Sequence, residues 1–111
     1  MDILFADAAL GTLCNSQKLA KKKWGAKAAK LLSRRLSDLK ASANLFVMFS
    51  LPGRCHPLQR EHAGRYALAL DGGLRLVFEP ANDPQPQTAD GGLDARRVTA
   101  IRVVTVEDYH D

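Results

Sequence analysis

The spacing of apolar residues divides the chain into a helical first half and a stranded second half. One stripe of apolar side chains recurs at intervals of three or four positions: Ala28, Leu31, Leu32, Leu36, Leu39 and Ala43. This period predicts one long amphipathic helix. Before it, Asp7 can cap a helix that reaches about Cys14, and Ser16 can cap a second one that ends at Gly25. Residues 2–6 are short and apolar, which predicts an opening strand.

After the Leu-Pro-Gly turn at residues 51–53, the apolar period changes from 3.6 to 2. Residues 65–70 and 74–79 alternate, and the Asp-Gly-Gly turn between them predicts a β-hairpin. Residues 80–96 contain three prolines and predict a long loop, whereas residues 98–106 are rich in Val, Ile and Thr and predict a long strand. The whole chain, 1–111, therefore reads as a single α+β domain. We expect an N-terminal strand and two helices packed on one face of a mainly antiparallel sheet of four or five strands.

Composition narrows the class of protein. The 111 residues are 46% hydrophobic and 25% charged, which is typical of a globular domain and excludes a disordered tail or a collagen-like repeat. The longest charge-free stretch, residues 41–53, is far shorter than the ~20 residues that span a bilayer. The first residues show no secretion signal, and two cysteines do not make a disulfide framework. We therefore expect a cytoplasmic protein with free thiols and no membrane partner.

The distribution of charge along the chain says more about possible partners than the overall composition does. The net charge is only +4, but residues 18–40 carry nine Lys and Arg against a single Asp. A basic block of this density is typical of a surface that faces a polyanion, and it is equally compatible with a solvated helix face. The last third of the chain is acidic.

The strand order can gather a group of side chains suited to phosphodiester chemistry. A histidine exchanges protons near neutral pH, an arginine stabilises charge on phosphoryl oxygens, and a neighbouring acid orients the histidine. The alternative is an ordinary surface histidine beside a capping aspartate. The candidate group comprises His56, Arg75, Asp108, Tyr109 and His110.

Other kinds of site are poorly supported by the sequence. The histidines and cysteines lack zinc-ligand spacing, and no phosphate-binding loop, dinucleotide fingerprint or nucleophile elbow is present. Cys55 precedes His56 directly, but neighbours on a strand point to opposite faces and cannot form a catalytic pair. The sequence therefore predicts no metal and no cofactor, and it predicts that Cys55 is a core residue.

Three segments together resemble the HigB-type toxins of the RelE/ParE toxin–antitoxin superfamily, in its killer-protein-like branch. They are Arg-Cys-His-Pro-Leu at residues 54–58, Leu-Arg-Leu-Val-Phe at 74–78 and Glu-Asp-Tyr-His at 107–110. The resemblance covers roughly residues 50–110, and the preceding strand and helices match the family's order of elements. The chain departs from the family at Gln59, where a lysine is common, and in the insertion at residues 80–96.

The resemblance implies a RelE-like fold and a ribosome-dependent mRNA endoribonuclease that needs no metal or cofactor. In such an enzyme the mRNA 2′-hydroxyl attacks the neighbouring phosphate. His56 would act as general base or acid, Arg75 would stabilise the transition state, and Asp108, Tyr109 and His110 would complete the proton-transfer group. The side chains facing RNA would be Lys18, Lys21, Lys22, Lys23, Lys27, Lys30, Arg34, Arg54 and Arg60.

The same resemblance implies two partners. One is the ribosome with its mRNA, and the other is a cognate helix-turn-helix antitoxin, with a heterotetramer as one arrangement. A non-nucleolytic member of the superfamily, such as a ParE-like topoisomerase inhibitor or a degenerate partner-binding protein, is the alternative. His56 and Arg75 together with the Tyr-His ending favour the nuclease, whereas Gln59 favours the alternative.

Overall fold

The computed structural model describes residues 1–108, so Tyr109, His110 and Asp111 lie outside the described residues. Two short 3-10 turns, Arg60–His62 and Ala95–Arg97, interrupt the connections. The regular elements within the described residues are, in chain order, β1 (Asp2–Phe5), α1 (Ala8–Asn15), α2 (Gln17–Trp24), α3 (Ala26–Ala41), α4 (Leu45–Met48), β2 (His56–Pro57), β3 (Tyr66–Ala69), β4 (Leu74–Pro80) and β5 (Ala100–Asp108).

Side-chain caps set where the helices begin. The Asp7 carboxylate accepts a hydrogen bond from the Leu10 amide at 2.8 Å, and the Ser16 hydroxyl accepts one from the Leu19 amide at 3.2 Å. Both predicted caps are confirmed. Ser16 is extended and separates α1 from α2, while Gly25, at φ 93°, separates α2 from α3. The described residues form four helices where the expected architecture had two: the breaks at Ser16 and Gly25 were predicted, and only α4 was not.

The five strands form one sheet in the order β1-β5-β4-β3-β2. β1 runs parallel to β5, and every other neighbouring pair is antiparallel. The predicted hairpin is confirmed as β3–β4, with Tyr66 opposite Phe78 and Ala69 opposite Arg75. The predicted α+β class with a mainly antiparallel sheet is therefore correct.

The sheet has two different faces. One is covered by helices and holds the main core, in which Leu32 and Leu39 of α3 join Leu68, Leu76 and Phe78 of the sheet. Burying each such side chain stabilises the fold by roughly 1.5–3 kcal/mol. We call the other side the outer face. Its only apolar cluster among the described residues is small: Leu58, Ala67 and Val77.

Arg35 is an exception within the basic block. The sequence counts it among the charges on the helix surface, but it is only 8% exposed. It lies three positions after Leu32 and four before Leu39, which places it on the buried side of α3. Its Nε donates a hydrogen bond to the Ala69 carbonyl at 3.0 Å, so it fastens α3 to β3.

The predicted loop is a folded arm between β4 and β5. The Asn82 side-chain oxygen accepts hydrogen bonds from the amides of Thr99 at 2.9 Å and Ala100 at 3.1 Å, which closes the base of the arm. Further out, the Arg97 guanidinium donates to the Gln87 carbonyl at 2.7 Å. Because the arm takes up residues as far as Thr99, the last strand begins at Ala100 and not at the predicted residue 98.

Candidate functional site

Cross-strand partners lie on the same face of a sheet, so the register groups the polar side chains of the outer face into three rows. The first row is His56, Ala67, Val77 and Thr105, the second is Ala69, Arg75 and Glu107, and the third is Arg65, Glu79 and Arg102. In the third row, salt bridges join Arg65 and Arg102 to Glu79.

His56 lies on the edge strand β2 and is partly exposed. Its Nδ1 makes a 2.8 Å hydrogen bond with the Arg54 carbonyl. A carbonyl oxygen can only accept, so Nδ1 carries the hydrogen and the lone pair of the neutral ring is at Nε2. Arg54 adopts φ 55°, a conformation unusual for a residue other than glycine. The loop thus fixes a tautomer whose Nε2 can accept a proton.

Arg75 lies on β4, directly after the hairpin turn. Its Nη1 donates to the carbonyls of Gly72 and Leu74, each at 3.1 Å, which holds the guanidinium at the turn. Within residues 1–108, its Nε and Nη2 make no hydrogen bond to another residue. A guanidinium anchored through one nitrogen keeps donors for an anion, and it stays charged at any physiological pH.

His56 and Arg75 share the outer face but do not touch. One strand and one row separate them, which corresponds to roughly 12 Å between their Cα atoms from ordinary strand spacing. Two long side chains at this distance can act together on a group bound between them. A phosphodiester lying over Ala67 and Ala69 would have a base on one side and a cation on the other.

Asp108 is placed differently from these two residues. It pairs with Leu74, which belongs to the helix-covered side, whereas Glu107 is the acid opposite Arg75 on the outer face. Asp108 still reaches the hairpin turn, since a Cβ at Gly73 would lie 3.2 Å from its Cγ. Tyr109 and His110, the other two members of the predicted group, lie outside the described residues.

The predicted RNA-facing side chains are exposed but belong to two regions. Arg54 and Arg60 flank the short strand β2. The remaining ones lie on the helices, across the sheet from His56: Lys18, Lys21, Lys22, Lys23, Lys27, Lys30 and Arg34. On the helices, the Lys27 Nζ is 3.6 Å from the carboxylate of Asp71 in the hairpin turn.

Arg65 and Arg102 were not predicted as residues of this face. Glu79 lies 3.8 Å from the Arg65 Nε and 3.2 Å from the Arg102 Nη1, so it holds both guanidinium groups on the outer face. Alternation along β3 could have placed Arg65 on the same face as Ala67 and Ala69. No sequence signal gives the β4–β5 register, which is needed to add Arg102.

Cys55 is buried, as expected, and burial raises its pKa to about 12. At neutral pH this thiol is protonated, which makes it a poor nucleophile. Residues 1–108 contain no group of three or more side chains able to hold a metal ion. Nor do any of the helices in that part of the chain have the length and apolar character needed to cross a membrane.

Comparison with solved structures identifies the fold. The chain is similar to the "YoeB/ParE toxin from Agrobacterium tumefaciens", with a TM-score of 0.61 and 12% identity over 99% of this chain and 100% of that one. It is also similar to a chain of the "YoeB-YefM complex from Staphylococcus aureus", with a TM-score of 0.58 and 14% identity over 100% of this chain and 98% of that one. No protein-family model and no curated protein sequence matches the chain. The predicted RelE-like fold is therefore confirmed.

Proposed function

We propose that the chain is the toxin of a bacterial type II toxin–antitoxin system and that it is a metal-independent, ribosome-dependent mRNA endoribonuclease of the HigB type. Two solved structures with this fold are a YoeB/ParE toxin and a YoeB–YefM complex. The observation that carries the proposal is the shared outer face of His56, with its Nδ1 committed to the Arg54 carbonyl, and Arg75, with its guanidinium anchored through Nη1 alone.

The chemistry follows from these two side chains. His56 Nε2 accepts the proton of an mRNA 2′-hydroxyl, and the oxygen attacks the adjacent phosphorus. Arg75 balances the negative charge that grows on the phosphoryl oxygens. The bond to the 5′ oxygen then breaks, and that oxygen takes a proton from the group formed by Asp108, Tyr109 and His110. The products are a 2′,3′-cyclic phosphate and a free 5′-hydroxyl.

The proposed partners follow from charge and from the neighbouring structures. The exposed lysines of α2 and α3 bind ribosomal RNA, because a dense cationic surface displaces the counterions of a polyanion. A cognate helix-turn-helix antitoxin neutralises the protein, and we place both binding events in the cytoplasm. The solved complex of YoeB with YefM supports an antitoxin partner for this fold.

A ParE-like inhibitor of a topoisomerase is the second candidate function. The toxin from Agrobacterium tumefaciens, which shares the fold, is named for ParE as well as for YoeB. Two features of the chain also favour it: Gln59 replaces a basic residue, and Asp108 pairs with Leu74 and not with Arg75. Such an inhibitor needs the fold but not the proton-transfer group.

The test is to induce the protein in bacteria and map the 5′ ends of cellular mRNA. We expect His56→Ala and Arg75→Ala each to reduce cleavage by roughly 10²–10³-fold, since each removes one proton-transfer or charge-stabilising group. His62→Ala is the matched control, because His62 lies on the Arg60–His62 turn and has no proposed role. It should cleave normally.

Two results would reject the nuclease. One is growth arrest with unchanged mRNA ends, and the other is equal arrest by wild type and Arg75→Ala. Arrest accompanied by altered plasmid supercoiling would instead support the topoisomerase inhibitor.

A further inference from the structure

A cavity of about 470 Å³ lies between α3 and the turn at residues 51–53, away from the outer face. Lys27, Lys30 and Arg34 follow each other at helical spacing, which places three cations on one strip of α3. Most of the exposed surface of its lining is apolar. The lining residues are Lys27, Lys30, Leu31, Arg34, Arg35 and Pro52.

Arg35 is the least expected member of this lining, since only 8% of the residue is exposed. Its Nε is committed to the Ala69 carbonyl, but neither Nη group bonds to another residue within 1–108. No side-chain nitrogen in that range is both fully buried and without a partner. The Nη groups are therefore not fully buried, and Arg35 is one of the residues that line the cavity.

This arrangement leaves a positive charge in the protein without a counter-ion. A guanidinium cannot lose its proton, and its burial is unfavourable unless an anion or several acceptors compensate it. Among the described residues, no carboxylate forms a salt bridge with Arg35. Asp71, two positions after Ala69, is paired with Lys27.

We propose that this cavity is a phosphate-binding site that takes a phosphate group of an RNA backbone. The planar fork of an arginine matches phosphate oxygens, and Lys30 and Arg34 add charge at the entrance. The positive surface continues onto α2 through Lys21, Lys22 and Lys23, which suits an extended polyanion better than one isolated carboxylate. The identity of the polyanion as RNA rests on the proposed function.

The site also connects the basic helices to the outer face. Arg35 bonds the carbonyl of Ala69, and Ala69 is the cross-strand partner of Arg75. A phosphate held by Arg35 would thus lie near Ala69, the residue that pairs with the candidate catalytic Arg75. RNA bound along α3 would pass the β3–β4 end of the sheet, where the two surfaces meet.

The experiment follows the Arg35 Nε–Hε signal of the ¹⁵N-labelled protein by NMR. Inorganic phosphate is added at constant ionic strength, with chloride as the balancing ion. A short 2′-O-methyl RNA, which has no hydroxyl to attack phosphorus, and polyglutamate are added in separate titrations. We expect phosphate and RNA to shift the Arg35 signal in a saturable manner, with RNA acting at the lower concentration.

Substituting Arg35 itself can unfold the chain, so the variants are on the cavity entrance. We expect Lys30→Gln to weaken RNA binding by roughly two- to fivefold, as for an exposed charge contact. Lys40→Gln removes the same charge from α3, but Lys40 lines a different groove, so this variant should bind like wild type.

An Arg35 signal that phosphate and RNA leave unmoved would overturn the site, as would equal effects of Lys30→Gln and Lys40→Gln. If polyglutamate shifts the Arg35 signal at a lower concentration than RNA does, the proposal of RNA as the ligand is wrong and the ligand is an acidic protein segment. The RNA probe cannot be cleaved, so binding at Arg35 without new mRNA ends in cells would reject the nuclease and keep the site.

Discussion

The two faces of the sheet differ in what their side chains do. On the helix-covered face, Leu68, Leu76 and Phe78 are fully buried, and the structure gains its stability there. The outer face has one small apolar cluster between rows of charged and polar groups. A domain of this size can thus use one side of a sheet for folding and leave the other for binding. Arg35 is a charged residue on the helix-covered face, and its charge has no counter-ion among the described residues. This is why we propose an anion as its ligand.

The largest expected difference between the faces is in stability. Phe78→Ala should lower the free energy of unfolding by about 3–5 kcal/mol, because it removes a fully buried ring from the main core. Thr105→Ala on the outer face should change it by less than about 0.5 kcal/mol. Urea denaturation of the two variants measures both values. Similar losses of unfolding free energy in the two variants would show that the outer face contributes as much to stability as the helix-covered face.

The loss of stability per pH unit above pH 9 should be the next largest effect, again on the helix-covered side. Burial raises the pKa of Cys14 to about 11 and that of Cys55 to about 12, from 9.0. It also raises the pKa of Tyr66, aided by the charge of Cys55. Above pH 9 the unfolded chain loses these protons first, so stability is present below that pH and is lost as the pH rises. We expect a loss of about 1.4 kcal/mol per pH unit for each thiol.

The measurement is the free energy of unfolding between pH 8 and 11. A variant carrying Cys14→Ala and Cys55→Ala should start less stable and show a shallower decline. An identical slope in the variant would mean that other groups cause the alkaline loss.

The smallest expected effect concerns the third row of the outer face. Glu79→Gln removes the negative charge from the contacts with Arg65 and Arg102, all about one-third exposed. Partly exposed ion pairs contribute little, so we expect a stability change below about 1 kcal/mol. Under the proposed function, the loss of one negative charge should leave RNA binding equal or tighter. Weaker RNA binding at unchanged stability would show that Glu79 itself positions the substrate.

Local patterns predicted much of this fold. The period of α3, the caps at Asp7 and Ser16 and the β3–β4 hairpin all depend on neighbouring residues, and they were predicted correctly. α4 was missed because its four residues are too few to show a helical period. The burial of Arg35 was not predicted, because a count of charges ignores which side of the helix each residue occupies.

The site was less predictable than the fold because it depends on register. A shift of one residue moves a side chain to the other face of a sheet, and this decides between Glu107 and Asp108 as the acid opposite Arg75. No pattern within β5 fixes that choice. The structure places His56 and Arg75 on one face, while the roles of both remain proposals.

The pairing of β1 with β5 has a consequence for the order of folding. It joins Asp2 to Ala100, near the two extremes of the sequence, and contacts of such separation form late. At roughly 5–20 residues per second, a growing chain has its helices several seconds before β5 emerges. Glu107 completes the row that contains Arg75, so this row of the outer face forms only after β5 has been synthesised. Until β5 has been made, the growing chain holds an incomplete sheet, and the row of Arg75 lacks its partner from that strand.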